Sequence, residues 1–192
     1  MKKYLSLIII VLISSVNIFS QTDAIKKIKE QYYQVTDENY QTHQLTFNTM
    51  LPAIGLQTTN VKYYYSSIQS NPEIDPYKLT YKVVKILVTY NVAANMDFTF
   101  EYLFDDNQNL IFLYENSYNY QENIEKRYYY NKTNLIQINS KTFDNKGLKD
   151  DYSESKNFKP NDLQEAKKNM IKAKKHVSLF SQIINIENLD KN

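Results

Sequence analysis

Arg127 is the one arginine of this chain, so two-pronged recognition of a carboxylate or phosphate by a guanidinium fork can occur at one place only. It is followed by Tyr128, Tyr129 and Tyr130, and the segment from Met96 to Phe104 before it alternates apolar and polar residues. If Phe104 pairs with Leu110 and Tyr118 with Ile124, Glu115 stands directly across from Arg127, and Glu101, Leu113 and Tyr129 share that face. The chemistry this implies is binding. Arg127, steadied by Glu115, would meet an anionic or carbonyl group while Leu113 and Tyr129 meet an apolar or sugar body. The same two charges on a solvated sheet would form a cross-strand ion pair contributing under about 1 kcal/mol. The other face of this register carries an aromatic ladder, with Tyr102 opposite Phe112 and Phe100 opposite Tyr114.

Other chemistries find less support. Glu101 and Glu115 are the carboxylates this register brings near one another, and a hydrolase would need them facing each other in a cleft. The chain has no cysteine and only two glycines, so there is no thiol nucleophile, no Gly-x-Ser-x-Gly elbow and no glycine-rich phosphate loop. His43 and His176 lack a zinc-ligand spacing. The run from Asp105 to Asn109 copies the start of a calcium loop, but Leu110 stands where the turn needs glycine and Asn116 where the loop needs glutamate, so it reads as a turn. Asn131-Lys132-Thr133 matches a glycosylation acceptor, a match expected to be accidental. The expectation is a non-catalytic protein without metal or cofactor.

These residues need a scaffold, and the hydrophobic period supplies one. Ile25, Ile28, Tyr32 and Val35 recur at helical spacing behind a capping Thr22, predicting a helix to about Asp37. From about Gln41 to Phe143 the period is two, broken at Pro52, at Asn71-Pro72 through Asp75-Pro76, and at Asp and Asn clusters, which predicts an antiparallel meander of about seven strands. Three corners of aromatic, polar turn and leucine begin at Phe104, Tyr130 and Phe143. After Pro160 the helical period returns, with Leu163, Ala166, Met170, Ala173, Val177, Phe180 and Ile184 at steps of three and four behind a capping Asn161 and Gln164. The fold class is α+β, with the long C-terminal helix packed on the sheet.

The first residues set the compartment. Met1-Lys2-Lys3, an apolar run from Leu5 to Val16 and Ser20 before Gln21 have the layout of a secretory signal peptide, too short for a membrane span. Residues 1–20 are therefore expected to be removed, leaving residues 21–192 as a single soluble domain, periplasmic or extracellular, without a membrane span. Loss of Lys2 and Lys3 from the 23 cations leaves 21 against 21 anions, a balance that argues against nucleic acid. The 18 tyrosines suit a wet sheet or a sugar- or protein-binding surface, but with the abundance of Asn, Lys and Ile they are explained most simply by an AT-rich genome.

The signal ending at Ser20-Gln21, the helix opening Asp23-Ala24-Ile25-Lys26-Lys27-Ile28, and the blocks Glu101 to Phe104 and Glu125 to Tyr130 together resemble small exported proteins of Bacteroidota-type bacteria. The resemblance implies export and architecture and no assigned activity. The leading expectation is an exported binding or interaction protein whose working surface is a sheet face and whose partner is a glycan, a protein or a small molecule. The alternative is a carrier of an apolar or lipid-like ligand, with a curved meander gripping the C-terminal helix around a cavity. A small hydrolase using Glu101 and Glu115 is the third reading.

Overall fold

A computed structural model describes residues 21–71, 75–92, 96–118, 122–144 and 150–189. The signal-like segment and the corner after Asp144 lie outside the described residues. The chain divides into two compact units, Met1–Gln34 and Val35–Asn192. In the first, helix α1 spans residues 21–34, ending about three residues before the predicted stop. Ile28 is buried, Ile25 and Tyr32 are half-buried, and Lys26, Lys27 and Lys29 are exposed, as the apolar stripe requires.

In the second unit eight strands follow one another: β1 (Gln41–Leu51), β2 (Gly55–Asn71), β3 (Asp75–Val92), β4 (Met96–Phe104), β5 (Leu110–Tyr118), β6 (Glu122–Asn131), β7 (Asn134–Asp144) and β8 (Asp150–Ser155), before helix α2 (Pro160–Leu189). Each pairs antiparallel with the next in a single sheet, β1 to β8 in order. The α+β meander is as expected, with one strand more than the predicted seven. Among the described residues Gly55 has a positive φ of 98° and closes the β1–β2 turn, a conformation that glycine adopts without a Cβ clash.

Helix α2 starts one residue before the predicted cap. Pro160 takes the first helical position, where its missing N–H costs nothing. Asp162, rather than Asn161 with Gln164, makes the capping bond, accepting from the Lys159 N–H at 2.8 Å. Thirty residues give a rod about 45 Å long. Its predicted stripe is the buried face: Ala166, Ala173, Phe180 and Ile184 are buried, and Met170 and Val177 pack against the same cluster. Leu163 alone departs, at 50 % exposed, because the first turns of α2 lie over polar ground. The core beneath α2 comes from alternate residues of the sheet, among them Val61, Tyr63, Ile86, Val88, Tyr102 and Leu113. Phe180 lies 5.0 Å from the rings of both Tyr63 and Tyr65.

Register decides which face each remaining residue joins. Phe104 does pair with Leu110, but the next pair is Leu103 with Phe112. Ile111 is therefore an extra residue, a β-bulge, and everything beyond it in β5 turns over relative to the expected pairing. A second one-residue difference follows, because Tyr118 pairs with Asn123 instead of Ile124. The hairpin at Asp105 explains how the bulge is held. Asp105 Oδ1 accepts from the backbones of Asn107 and Asn109, at 2.9 and 2.8 Å, and Gln108 takes a positive φ of 61°. From there its side chain reaches β3, accepting from the Val83 N–H at 3.2 Å and donating to the Val83 carbonyl at 2.8 Å. Gln108 thus satisfies backbone groups beside the β2–β3 register shift at Tyr64/Tyr65, where a side-chain amide substitutes for a neighbouring strand.

Candidate functional site

The two register differences divide the five residues that the sequence would gather. Glu115 lies across from Phe100 and Lys126, and Leu113 across from Tyr102 and Tyr128; both therefore face α2. Arg127 lies across from Tyr114, Tyr129 from Phe112, and Glu101 from Leu87 and Tyr114, all on the opposite face. Glu115 and Arg127 are not partners. Arg127 instead bonds Glu125 on its own strand at 2.9 Å and stacks over the Tyr114 ring, 5.3 Å from its centroid. Glu101 pairs with Lys85, and Tyr129 packs on Phe112 with ring centroids 5.1 Å apart. Leu113 is fully buried in the core. Glu101 and Glu115 stand on opposite sides of the sheet, an arrangement that gives them no shared cleft.

The aromatic ladder also differs from the expected one. It runs Tyr90, Phe98, Phe100, Tyr102 on the helix-covered face, with successive close centroids at 4.9 Å for Tyr90–Phe98 and 6.3 Å for Phe100–Tyr102. At its end the Tyr102 ring meets His176 of α2 at 5.7 Å. The apolar space beside Met170 and Ala173 amounts to about 20 Å³, the scale of a single water.

Glu115 leads to a different site. Between the first half of α2 and the sheet opens a groove of about 330 Å³, lined by Glu115, Asn161, Gln164, Glu165, Lys168, Asn169 and Lys172. Burial pushes the Glu115 carboxyl above the usual carboxylate range; Glu165 adds to the rise, while Lys126 and Lys172 oppose it. Lys126, directly across from Glu115, bridges to Glu165 of α2 at 3.5 Å. Asn169 is 4 % exposed, yet neither its Nδ2 nor the hydroxyls of the buried Tyr128 and Tyr130 make a hydrogen bond of regular geometry. The Glu165 carboxylate lies close enough to Tyr128, and the Asn169 side chain to Tyr130, for a loose polar contact with each hydroxyl, and both phenols are pushed upward, first by burial and then by the surrounding carboxylates. Polar atoms buried without partners are rare in folded proteins and call for an explanation.

The sequence did carry a signal for this groove. Glu165, Asn169, Lys172 and His176 recur at steps of four, three and four, a polar line along the flank of the apolar stripe. Polar residues at helical spacing beside a buried face point to a polar partner under the helix. His176 belongs to the same line, and burial, followed by the charge of Lys172, lowers its imidazole pKa.

A second depression of about 310 Å³ lies on the opposite face, lined by Gln44, Asn60, Lys62, Leu87 and Thr89. Two of its polar groups are already engaged: Asn60 accepts from Thr46 at 2.7 Å and Lys62 binds Asp37 at 2.6 Å. Among the described residues no cluster of three or more His, Asp or Glu could hold a metal ion, and no helix is long and apolar enough to cross a membrane. No protein-family model matches the chain, and no curated protein or solved structure matches it significantly.

Proposed function

We propose that this protein is exported and acts as a non-catalytic binder of a small polar ligand held between α2 and the β5–β6 ladder. The observation that carries the reading is the Asn169 Nδ2, buried without a regular hydrogen bond in the wall of a groove whose other side chains are carboxylates, ammonium groups and amides. A donor left in that state costs about 1–3 kcal/mol, and a ligand oxygen would remove the cost. Lys168 and Lys172 favour a carboxylate or carbonyl oxygen on the same ligand, while Glu115 and Glu165 accept from hydroxyls. The pattern suits a sugar acid or an N-acylated sugar, and the volume falls at the small end of ligand pockets, roughly 300–1,000 Å³. Export is supported by the signal layout of residues 1–20 and by the resemblance to small exported bacterial proteins.

The test is native mass spectrometry of the protein purified from its own export pathway, followed by calorimetric titration with uronic acids and N-acyl sugars. A bound polar molecule, lost in Asn169→Leu while the fold persists, is the expected result. Extraction of a lipid would instead support the carrier reading. An apo mass with no heat of binding for either sugar class, or turnover of a cell-envelope substrate, would overturn the proposal.

A further inference from the structure

The two edges of the sheet are built differently. β8 has six residues and carries Asp150, Asp151 and Glu154; short length and repeated charge are devices by which edge strands avoid pairing with other chains. β1 has eleven residues without an Asp, Glu, Lys, Arg, Pro or Gly, and it pairs with β2 without a register shift, so none of those devices is present. It is also open: Gln44, Thr46 and Asn48 are exposed, and Phe47 keeps 40 % of its surface. In an antiparallel strand the backbone groups of alternate residues point away from the existing neighbour, so one row of β1 donors and acceptors faces outward.

We propose that β1 pairs antiparallel with β1 of a second copy of this chain, about a two-fold axis at Thr46, joining two eight-stranded sheets into one. Three features select this occupant over an unrelated strand. Thr46 is the midpoint of Gln41–Leu51, so this dyad pairs every residue of the strand, and any other leaves an overhang. The strand is complementary to itself in that register: Leu45 meets the partner's Phe47 on the helix-covered face, and Gln44 meets the partner's Asn48 on the other. Leu45 already packs against the core, so the Leu45 and Phe47 pairs carry each core toward the axis. Finally, a two-fold contact sets each residue near the axis against its own copy, where a charge would repel itself. β1 has none.

The full chain is examined by sedimentation over a range of concentrations, as wild type, Thr46→Lys, Thr46→Cys and Ser153→Cys. A reversible dimer is expected. Thr46→Lys should raise its dissociation constant by about tenfold or more while the circular dichroism spectrum stays that of the folded chain. Thr46→Cys, the sole thiol in its variant, should cross-link on mild oxidation, because facing Cα atoms in an antiparallel pair lie about 4.5–5.5 Å apart, within disulfide reach. Ser153→Cys on β8 should not. A monomer at every concentration, a dimer that fails to cross-link through Thr46→Cys, or one that cross-links equally through Ser153→Cys overturns the proposal. The cysteine pair decides the matter even if Thr46→Lys fails to fold.

Discussion

Three buried hydroxyls without a regular hydrogen bond make a controlled comparison at the scale of single residues. Tyr63 is fully buried against Phe180, and burial pushes its phenol up to about 12. Deleting an unsatisfied buried hydroxyl removes a desolvation cost, so Tyr63→Phe is expected to stabilise the fold by about 1 kcal/mol, read from denaturant midpoints. Tyr128→Phe also removes a loose contact with Glu165, so it should stabilise the ligand-free protein less and weaken ligand binding in the groove, a loss of affinity that Tyr63→Phe would not show. Glu115 gives a pH signature. Its folded pKa is raised, so the native chain holds a proton that the unfolded chain has released, and stability falls as pH rises from the ordinary carboxylate value through the folded one. Glu115→Gln should erase that falling limb and raise the melting temperature near neutrality, checked by thermal denaturation from acid to neutral pH. Glu115 was legible as a candidate; its true neighbours were not, because they come from α2 and from a register with β6 that is one residue off the expected one.

For the elements, α2 and the Asp105 hairpin are held by different means. The apolar stripe of α2 was readable almost residue for residue, since a period of 3.6 depends on nothing outside the helix. Phe180 fills the space over Tyr63 and Tyr65, and Phe180→Ala should cost about 3–5 kcal/mol, measured by chemical denaturation. The hairpin's link to β3 is one amide, so Gln108→Ala, which strips both Val83 backbone groups of their partner, should destabilise by about 1–3 kcal/mol and speed amide exchange at Val83 in β3. Neither the Gln108 clamp nor the Ile111 bulge is written in the alternation. A strand pattern has the same period on both faces, and one extra residue exchanges them without altering the composition of either.

At the scale of the second unit, Val35–Asn192, a linear meander carries one long helix across it, and acid stability should reflect what that helix covers. His176, on the sheet-facing flank of α2, sits against Tyr102, and its lowered pKa means that the unfolded chain binds a proton the native chain refuses. Stability is therefore fully present above the ordinary histidine value, about 6.5, and is lost as pH falls toward the folded value; His176→Phe should flatten that acid limb in melts followed by circular dichroism. If residues 1–20 are a signal, intact mass of the exported chain should begin at Gln21. The order of helix, strands and helix, the buried stripe of α2 and two hairpin corners were determined by the sequence alone, because capping, turn chemistry and periodicity are local. Only the tertiary structure decided that Glu115 faces Lys126 and the polar flank of α2 while Arg127 points the other way. That outcome rests on a bulge and on a turn, each shifting register by one residue, and such shifts are fixed by how the whole sheet packs under its helix rather than by any segment read by itself.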